Sequence, residues 1–409
     1  MDVQHPTIPA ERIVVMMPNW LGDAVMATPF LHALRSLYPK AHIAAMGRPL
    51  VTSVAAGLPF INDIHVLDKS NPLATLGYLR SNRFDLGILL PNSFRSAWSL
   101  WRGKVKRRLG YAREFRSPLL THRLEPMRIT PTQRAMDRAK AIAIHDFASE
   151  NRKTIRVTAS LSHKFQPIPT IDYYLALAKY LGAQAPSKTM HLGVTDAERE
   201  EAGRVLADLG ITTSSIENRK SKIENLVIIV PGANFGSSKC WLPDRFAQVA
   251  TALADPAGPF KATVLIASSP AEIPIVDAIL KEAIERASFG IQNSICALAK
   301  LNNDKGISLG ALKEIVHRSR LMVCNDTGPR HFSAAFNIPT VTLFGPTDPV
   351  WAETNSQSER IIRVNVPCGP CQLKKCPIDH RCMKGITVED VMAAISDLWH
   401  NHSQFDRST

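Results

Sequence analysis

The chain has 409 residues, 45% of them hydrophobic and 21% charged. This is an ordinary globular composition, long enough for two domains, and it excludes a disordered, collagen-like or coiled-coil chain. Lysine and arginine (49) outnumber aspartate and glutamate (36), a net charge of +13 that favours nucleic acid, phosphorylated small molecules or an anionic membrane surface as partners.

The start, Met1-Asp2-Val3-Gln4-His5, has neither a basic region nor an apolar one, so no signal peptide is expected. No stretch of about 18 apolar residues occurs, so no transmembrane segment is expected. Both point to a cytoplasmic protein. Arg12 to Met17 is a continuous apolar run, as in a strand buried on both faces of a parallel sheet. The polar turn Pro18-Asn19-Trp20-Leu21-Gly22-Asp23 follows, then Met26, Phe30, Leu34 and Leu37 at helical spacing, with Pro29 tolerable only in a first turn. A second strand is expected from Ala41 to Met46. The pattern returns at Phe84 to Leu90, which runs into Pro91-Asn92.

Beyond a less patterned stretch, about 160–223, a second series begins. Strands are expected at Leu226–Val230, Thr263–Ala267, Leu321–Cys324 and Thr340–Phe344, each running into a polar loop. Alternating strands and helices give an α/β fold of two Rossmann-like doubly wound parallel-sheet domains facing a cleft, with ligands beyond the carboxyl ends of the strands. The boundaries are expected as 1–185, 186–385 and a C-terminal segment 386–409.

Five features carry chemistry. Gly232 to Lys239 joins glycines to a lysine, as phosphate loops do, although neither Walker A spacing nor a dinucleotide fingerprint is present. A plain strand-to-helix turn would read the same way. Asp326, Thr327 and Gly328 precede an apolar run and are expected at a helix N-terminus, as caps, as phosphate ligands or as both. Asp23 suits either the helix dipole or a general base. Arg95 to Arg128 interleaves ten basic residues with Trp98, Trp101, Tyr111 and Phe115. That fits single-stranded nucleic acid, a phosphorylated amphiphile at a membrane, or a solvated face. Cys368, Cys371, Cys376 and Cys382, with His380, offer either a structural zinc site or a compact loop of reduced cysteines.

Taken in order, the motifs Asn19-Trp20-Leu21-Gly22-Asp23, Pro91 to Ala97, Pro231 to Trp241, Asn325 to His331 and Phe344 to Pro349, then the cysteine loop, resemble glycosyltransferase family nine. The resemblance is to its ADP-heptose:lipopolysaccharide heptosyltransferases, the heptosyltransferase II type most of all, and covers about Arg12 to His400. It implies a GT-B fold with an acceptor-binding first domain and a donor-binding second one. The last helix, about 387–399, would cross back to the first. It implies inverting, single-displacement transfer of heptose from ADP-heptose to the lipopolysaccharide inner core. By the same resemblance Asp23 is the base and Lys239 neutralises the diphosphate. Gly232, Asn234, Gly236, Ser238, Glu272, Asp326, Thr327, Gly328 and His331 bind the donor. Asn19, Trp20, Asn92, Ser93 and Arg95 bind the acceptor, a phosphorylated Kdo-lipid A type molecule at the inner face of the cytoplasmic membrane. No cofactor is required and no nucleic acid is expected.

Arg330 stands where the family usually has an apolar residue, and Cys240 where a basic one is common. Two other readings remain: a related transferase with another nucleotide sugar or glycan acceptor, and a basic, zinc-containing nucleic-acid-binding protein.

Overall fold

The computed structural model describes residues 7–68, 70–132, 135, 142, 165–211, 223, 225–286, 294–301 and 306–405. Part of the less patterned middle stretch lies outside them. The chain divides into two compact units. The first falls within Met1–Ile129, Phe165–Thr195 and Val350–Asn355; the second within Thr130–Lys164, Asp196–Pro349 and Ser356–Thr409. Segment 186–195 thus keeps with the first unit, past the boundary expected at 185. Gly193 lies so close to Gly57 that a Cβ on either would strike the other's backbone.

The first unit holds β1 (Arg12–Met16), β2 (His42–Gly47), β3 (Asp63–Val66), β4 (Leu86–Leu89), β5 (Arg107–Tyr111) and β6 (His122–Leu124). They form one sheet in the order β3-β2-β1-β4-β5-β6, parallel throughout. Its helices are α1 (Leu21–Met26), α2 (Thr28–Leu37), α3 (Pro49–Ala55), α4 (Pro72–Asn82), α5 (Phe94–Arg102) and α6 (Thr170–Tyr180). The helix expected after the first polar turn is two helices. Ala27 ends α1 and precedes α2, which puts Pro29 in the first turn of α2, where a missing N–H costs nothing.

The second unit repeats the plan. Helix α7 (Asp196–Asp208) precedes β7 (Leu226–Val230), then come α8 (Pro243–Ala254), β8 (Thr263–Ile266), α9 (Ile273–Arg286) and β9 (Ile295–Ala297). They are followed by α10 (Leu309–Arg318), β10 (Leu321–Asn325), α11 (Arg330–Ala335), β11 (Thr340–Phe344), β12 (Glu359–Arg363), α12 (Arg381–Lys384) and α13 (Val388–Phe405). The sheet runs β12-β11-β10-β7-β8-β9, again parallel. The central strands β7, β10 and β11 are buried at every residue, because helices cover both faces.

Helix α13 packs on α8, β11 and β12 of the second unit. Trp399 meets Phe260 edge-on at 5.3 Å and lies under the Arg320 guanidinium at 3.9 Å. The apolar stripe of Val391, Ile395 and Leu398 joins the second core. Among the described residues no helix is long and apolar enough to cross a membrane.

Candidate active site

In the second sheet the strand order reverses between the parallel neighbours β7 and β10, so the loops after them open a crevice at their carboxyl ends. Asn325 ties the two loops together. Its Nδ2 donates to the Pro231 carbonyl at 2.6 Å, and its Oδ1 accepts from the Trp241 N–H at 3.2 Å. Across this tie Lys239 Nζ donates to Asp326 Oδ2 at 2.5 Å and to the Asp326 carbonyl at 3.3 Å. Thr347, just past β11, donates its hydroxyl to the same Oδ2 at 2.7 Å. Burial pushes the Asp326 carboxyl up, but Lys239 and Arg330 outweigh it and hold it below the usual carboxylate range. Lys239 also lies 4.9 Å over the Phe235 ring.

Asp326 is not a helix cap. Helix α11 starts after Pro329 and has no side-chain cap. Thr327 and Gly328 are half-buried in the bend before it. Arg330, fully buried, forks onto Glu359 with Nε at 2.5 Å and an amino nitrogen at 2.9 Å, and Thr342 donates to Glu359 at 2.5 Å. His331 is buried beside it, and its Nδ1 has no hydrogen-bond partner among the described residues. Burial first, then the Arg330 charge, pushes the imidazole down to about 3, so it is neutral.

The loop after β7 is shaped by two glycines. A Cβ on Gly232 would collide with the Glu272 carboxylate, so Glu272 stands directly against this turn. That carboxylate also closes a capping box with Ser269, through its N–H at 2.9 Å and hydroxyl at 2.8 Å. Gly236 has φ 156°, outside the range of L side chains, and a Cβ there would strike the Lys374 carbonyl. Ser238 is buried and gives its hydroxyl to the Leu373 carbonyl, whereas Asn234 is exposed.

The partner of this turn is the cysteine loop. The Ser238 N–H bonds the Lys374 carbonyl at 3.2 Å, and His380 Nε2 donates to the Ser238 carbonyl at 2.7 Å. Cys368, Cys371, Cys376 and Cys382 line a small cavity with His380 and Ser238. Burial, then the neighbouring cysteines, pushes the Cys382 thiol up to about 12; Cys368 is raised for the same reasons. Among the described residues no group of three or more His, Cys, Asp or Glu side chains is arranged to hold a metal ion. What the cysteine loop visibly does is brace the turn that carries Lys239.

In the first unit, Asp23 lies in the first turn of α1, half-buried. Its charge reaches the buried Tyr174, whose phenol is raised well above its ordinary value by burial first and Asp23 second. Asn19 and Trp20, just before α1, are exposed. Asn92 follows β4, and its Oδ1 accepts from Tyr173 Oη at 3.0 Å and from an Arg116 amino nitrogen at 3.2 Å. Ser93 caps α5, accepting the Ser96 N–H at 3.3 Å, and Arg95 is exposed on its first turn.

The basic segment divides into two kinds of residue. Arg116 is fully buried, its guanidinium on the Tyr111 carbonyl at 2.9 Å, the Pro91 carbonyl and Asn92; burial pushes it down to about 10. Arg107 and Arg108 also bond backbone carbonyls. Arg95, Arg102, Lys104 and Lys106 face outward. Sequence reasoning missed Thr347, Glu359 and the bracing by His380. Only the unexpected arginine at 330 signalled that a buried acid was needed.

Each unit is therefore a doubly wound nucleotide-binding type of domain, and the second carries a lysine–carboxylate site at its switch point, the layout of a nucleotide-sugar glycosyltransferase. The profile of glycosyltransferase family 9 (heptosyltransferase) matches residues 74–166 and 136–381, and the chain belongs to this family. It is 24% identical over 398 residues to lipooligosaccharide heptosyltransferase 2 of Haemophilus ducreyi, covering 95% of this chain and 99% of that protein. The structure of E. coli ADP-heptose lipopolysaccharide heptosyltransferase II superposes with a TM-score of 0.70 at 21% identity, over 96% of this chain and 99% of that one. An E. coli heptosyltransferase with ADP-2-deoxy-2-fluoro heptose gives 0.60 at 14% identity, over 94% and 99%. The fold is GT-B.

Proposed function

We propose that this enzyme transfers heptose from ADP-heptose to the inner core of lipopolysaccharide, in the manner of heptosyltransferase II. The observation that carries the reading is the similarity to a heptosyltransferase 2 over 95% of the chain. The first unit, with the segment up to about 185, takes the acceptor; the second takes the nucleotide sugar. An acceptor hydroxyl attacks the anomeric carbon and the bond to the diphosphate oxygen breaks, with inversion in a single displacement. Asp23 takes the hydroxyl proton. Lys239, freed in part from Asp326, meets the charge that develops on ADP. Gly232, Asn234 and Gly236 lie along the diphosphate, while Glu272, Thr327, Gly328 and His331 complete the donor site. Asp326 orients Lys239 and touches the sugar. Ser238 serves through the loop that its hydroxyl anchors rather than through a contact with the donor. Asn19, Trp20, Asn92, Ser93 and Arg95 hold an acceptor that is lipid-anchored and phosphorylated, which places the enzyme at the inner face of the cytoplasmic membrane.

The test is ADP release from ADP-heptose, with and without a heptosylated Kdo-lipid A acceptor. Acceptor-dependent release is expected. Asp23→Asn should reduce turnover at least about a thousandfold while leaving ADP binding within about twofold, because a missing base acts only in the transition state. Binding of ADP without release would move the donor sugar or acceptor elsewhere in the family.

A further inference from the structure

The function above leaves one surface without a role. Helix α5 buries Ser96, Ala97 and Leu100 against the sheet and α4. A second face, about 120° round the helix, exposes Phe94 (48%), Trp98 (40%) and Trp101 (48%). At 3.6 residues per turn these three fall within an arc of about 60°, and Arg102 and Arg95 occupy the next arc of about 60°. The Arg102 guanidinium lies 5.7 Å over the Trp98 ring. Lys104 and Lys106, exposed in the turn that follows, extend the basic edge. Between Leu86 and Arg113 the sequence has no acidic residue. Three large aromatics left in water on one nine-residue helix are costly to a soluble domain and need a partner.

We propose that this face of α5 docks the enzyme on an anionic lipid bilayer. Tryptophan and phenylalanine rings suit the headgroup boundary, and a flanking row of arginines and lysines suits acidic headgroups beyond it. The charge separates this partner from an apolar protein groove, which would leave the cations unpaired. The side-by-side stripes separate it from single-stranded nucleic acid, whose binding interleaves cation and ring along one groove. The inference extends the membrane-bound acceptor of the proposed function, yet its test needs no turnover, so the two fail separately.

Full-length protein is centrifuged with sucrose-loaded vesicles of phosphatidylcholine alone, or of two parts phosphatidylcholine to one part phosphatidylglycerol. Binding is expected only to the anionic vesicles. Trp98→Ser with Trp101→Ser should weaken it about tenfold or more, and Arg102→Glu with Lys104→Glu should do the same. Unchanged thermal melting shows that these exposed changes leave the fold intact. For the unaltered protein, phospholipids brominated on the acyl chain should quench tryptophan emission. Vesicle binding that survives the double tryptophan change, or the absence of quenching, overturns the assignment. So does binding to a single-stranded RNA oligonucleotide that the tryptophan change abolishes while vesicle binding persists.

Discussion

Arg330 and Glu359 form a fully enclosed ion pair beside the site, with Thr342 as the third member. A buried pair contributes little net stability, but removing one partner strands the other in a low dielectric. Arg330→Leu should lower stability by about 3–5 kcal/mol. Joining it to Glu359→Leu should recover most of that loss in denaturant titrations. His331 makes a second prediction at this scale. Its folded pKa, about 3, lies below its ordinary 6.5. The folded state therefore refuses a proton that the unfolded chain accepts, and stability falls as pH drops from about 6.5 towards 3. Between pH 7 and 5 the loss from this group is about 2 kcal/mol. His331→Gln should flatten the fall of melting temperature over that range; an equally steep fall would remove His331 as its source.

At the scale of elements, the turn 236–239 is held partly by its own bonds, Lys239 N–H to the Gly236 carbonyl and Cys240 N–H to the Ser237 carbonyl, each 3.1 Å, and partly from outside. Its backbone is fixed by the cysteine loop through Lys374, Leu373 and His380. His380→Ala removes one bond of about 1 kcal/mol from the turn that carries Lys239, so kcat/KM for the nucleotide sugar should fall roughly fivefold. His380→Gln, which keeps a donor on a side chain of similar reach, should restore most of it. Gly236→Ala should be worse, since both its φ and the Lys374 carbonyl forbid a Cβ. An unchanged kcat/KM in His380→Ala would mean that the brace does not act on the turn that carries Lys239.

At the scale of the whole molecule, the two sheets have separate cores. ADP at a hundred times its Kd should stabilise the unit that binds it by about 2.7 kcal/mol. Hydrogen exchange should therefore slow in β7, β10 and β11, while β1 and β4 are little affected. Slowing in β1 and β4 instead would assign the nucleotide to the first unit.

The sequence alone was enough for the central strands. Ile13 to Met16 and Leu226 to Val230 are unbroken apolar runs, and Thr340 to Phe344 is broken only by threonines, because both faces of these strands are covered, and each ends in a polar loop. That pattern is local, so the doubly wound plan and the ordered motifs of the family could be read without coordinates. Strands β3, β5, β6 and β12 escaped because they are only partly buried and carry charged or imidazole side chains that hide the period. The basic segment looked uniform for a related reason. Composition counts charges, whereas folding sends Arg116 inward to carbonyls and leaves Arg95 and Arg102 outward. Lys239 meets Asp326, and Arg330 meets Glu359, only because β10 lies between β7 and β11, with β12 next to β11. Sheet order is a property of long-range packing, and no spacing along the chain encodes it.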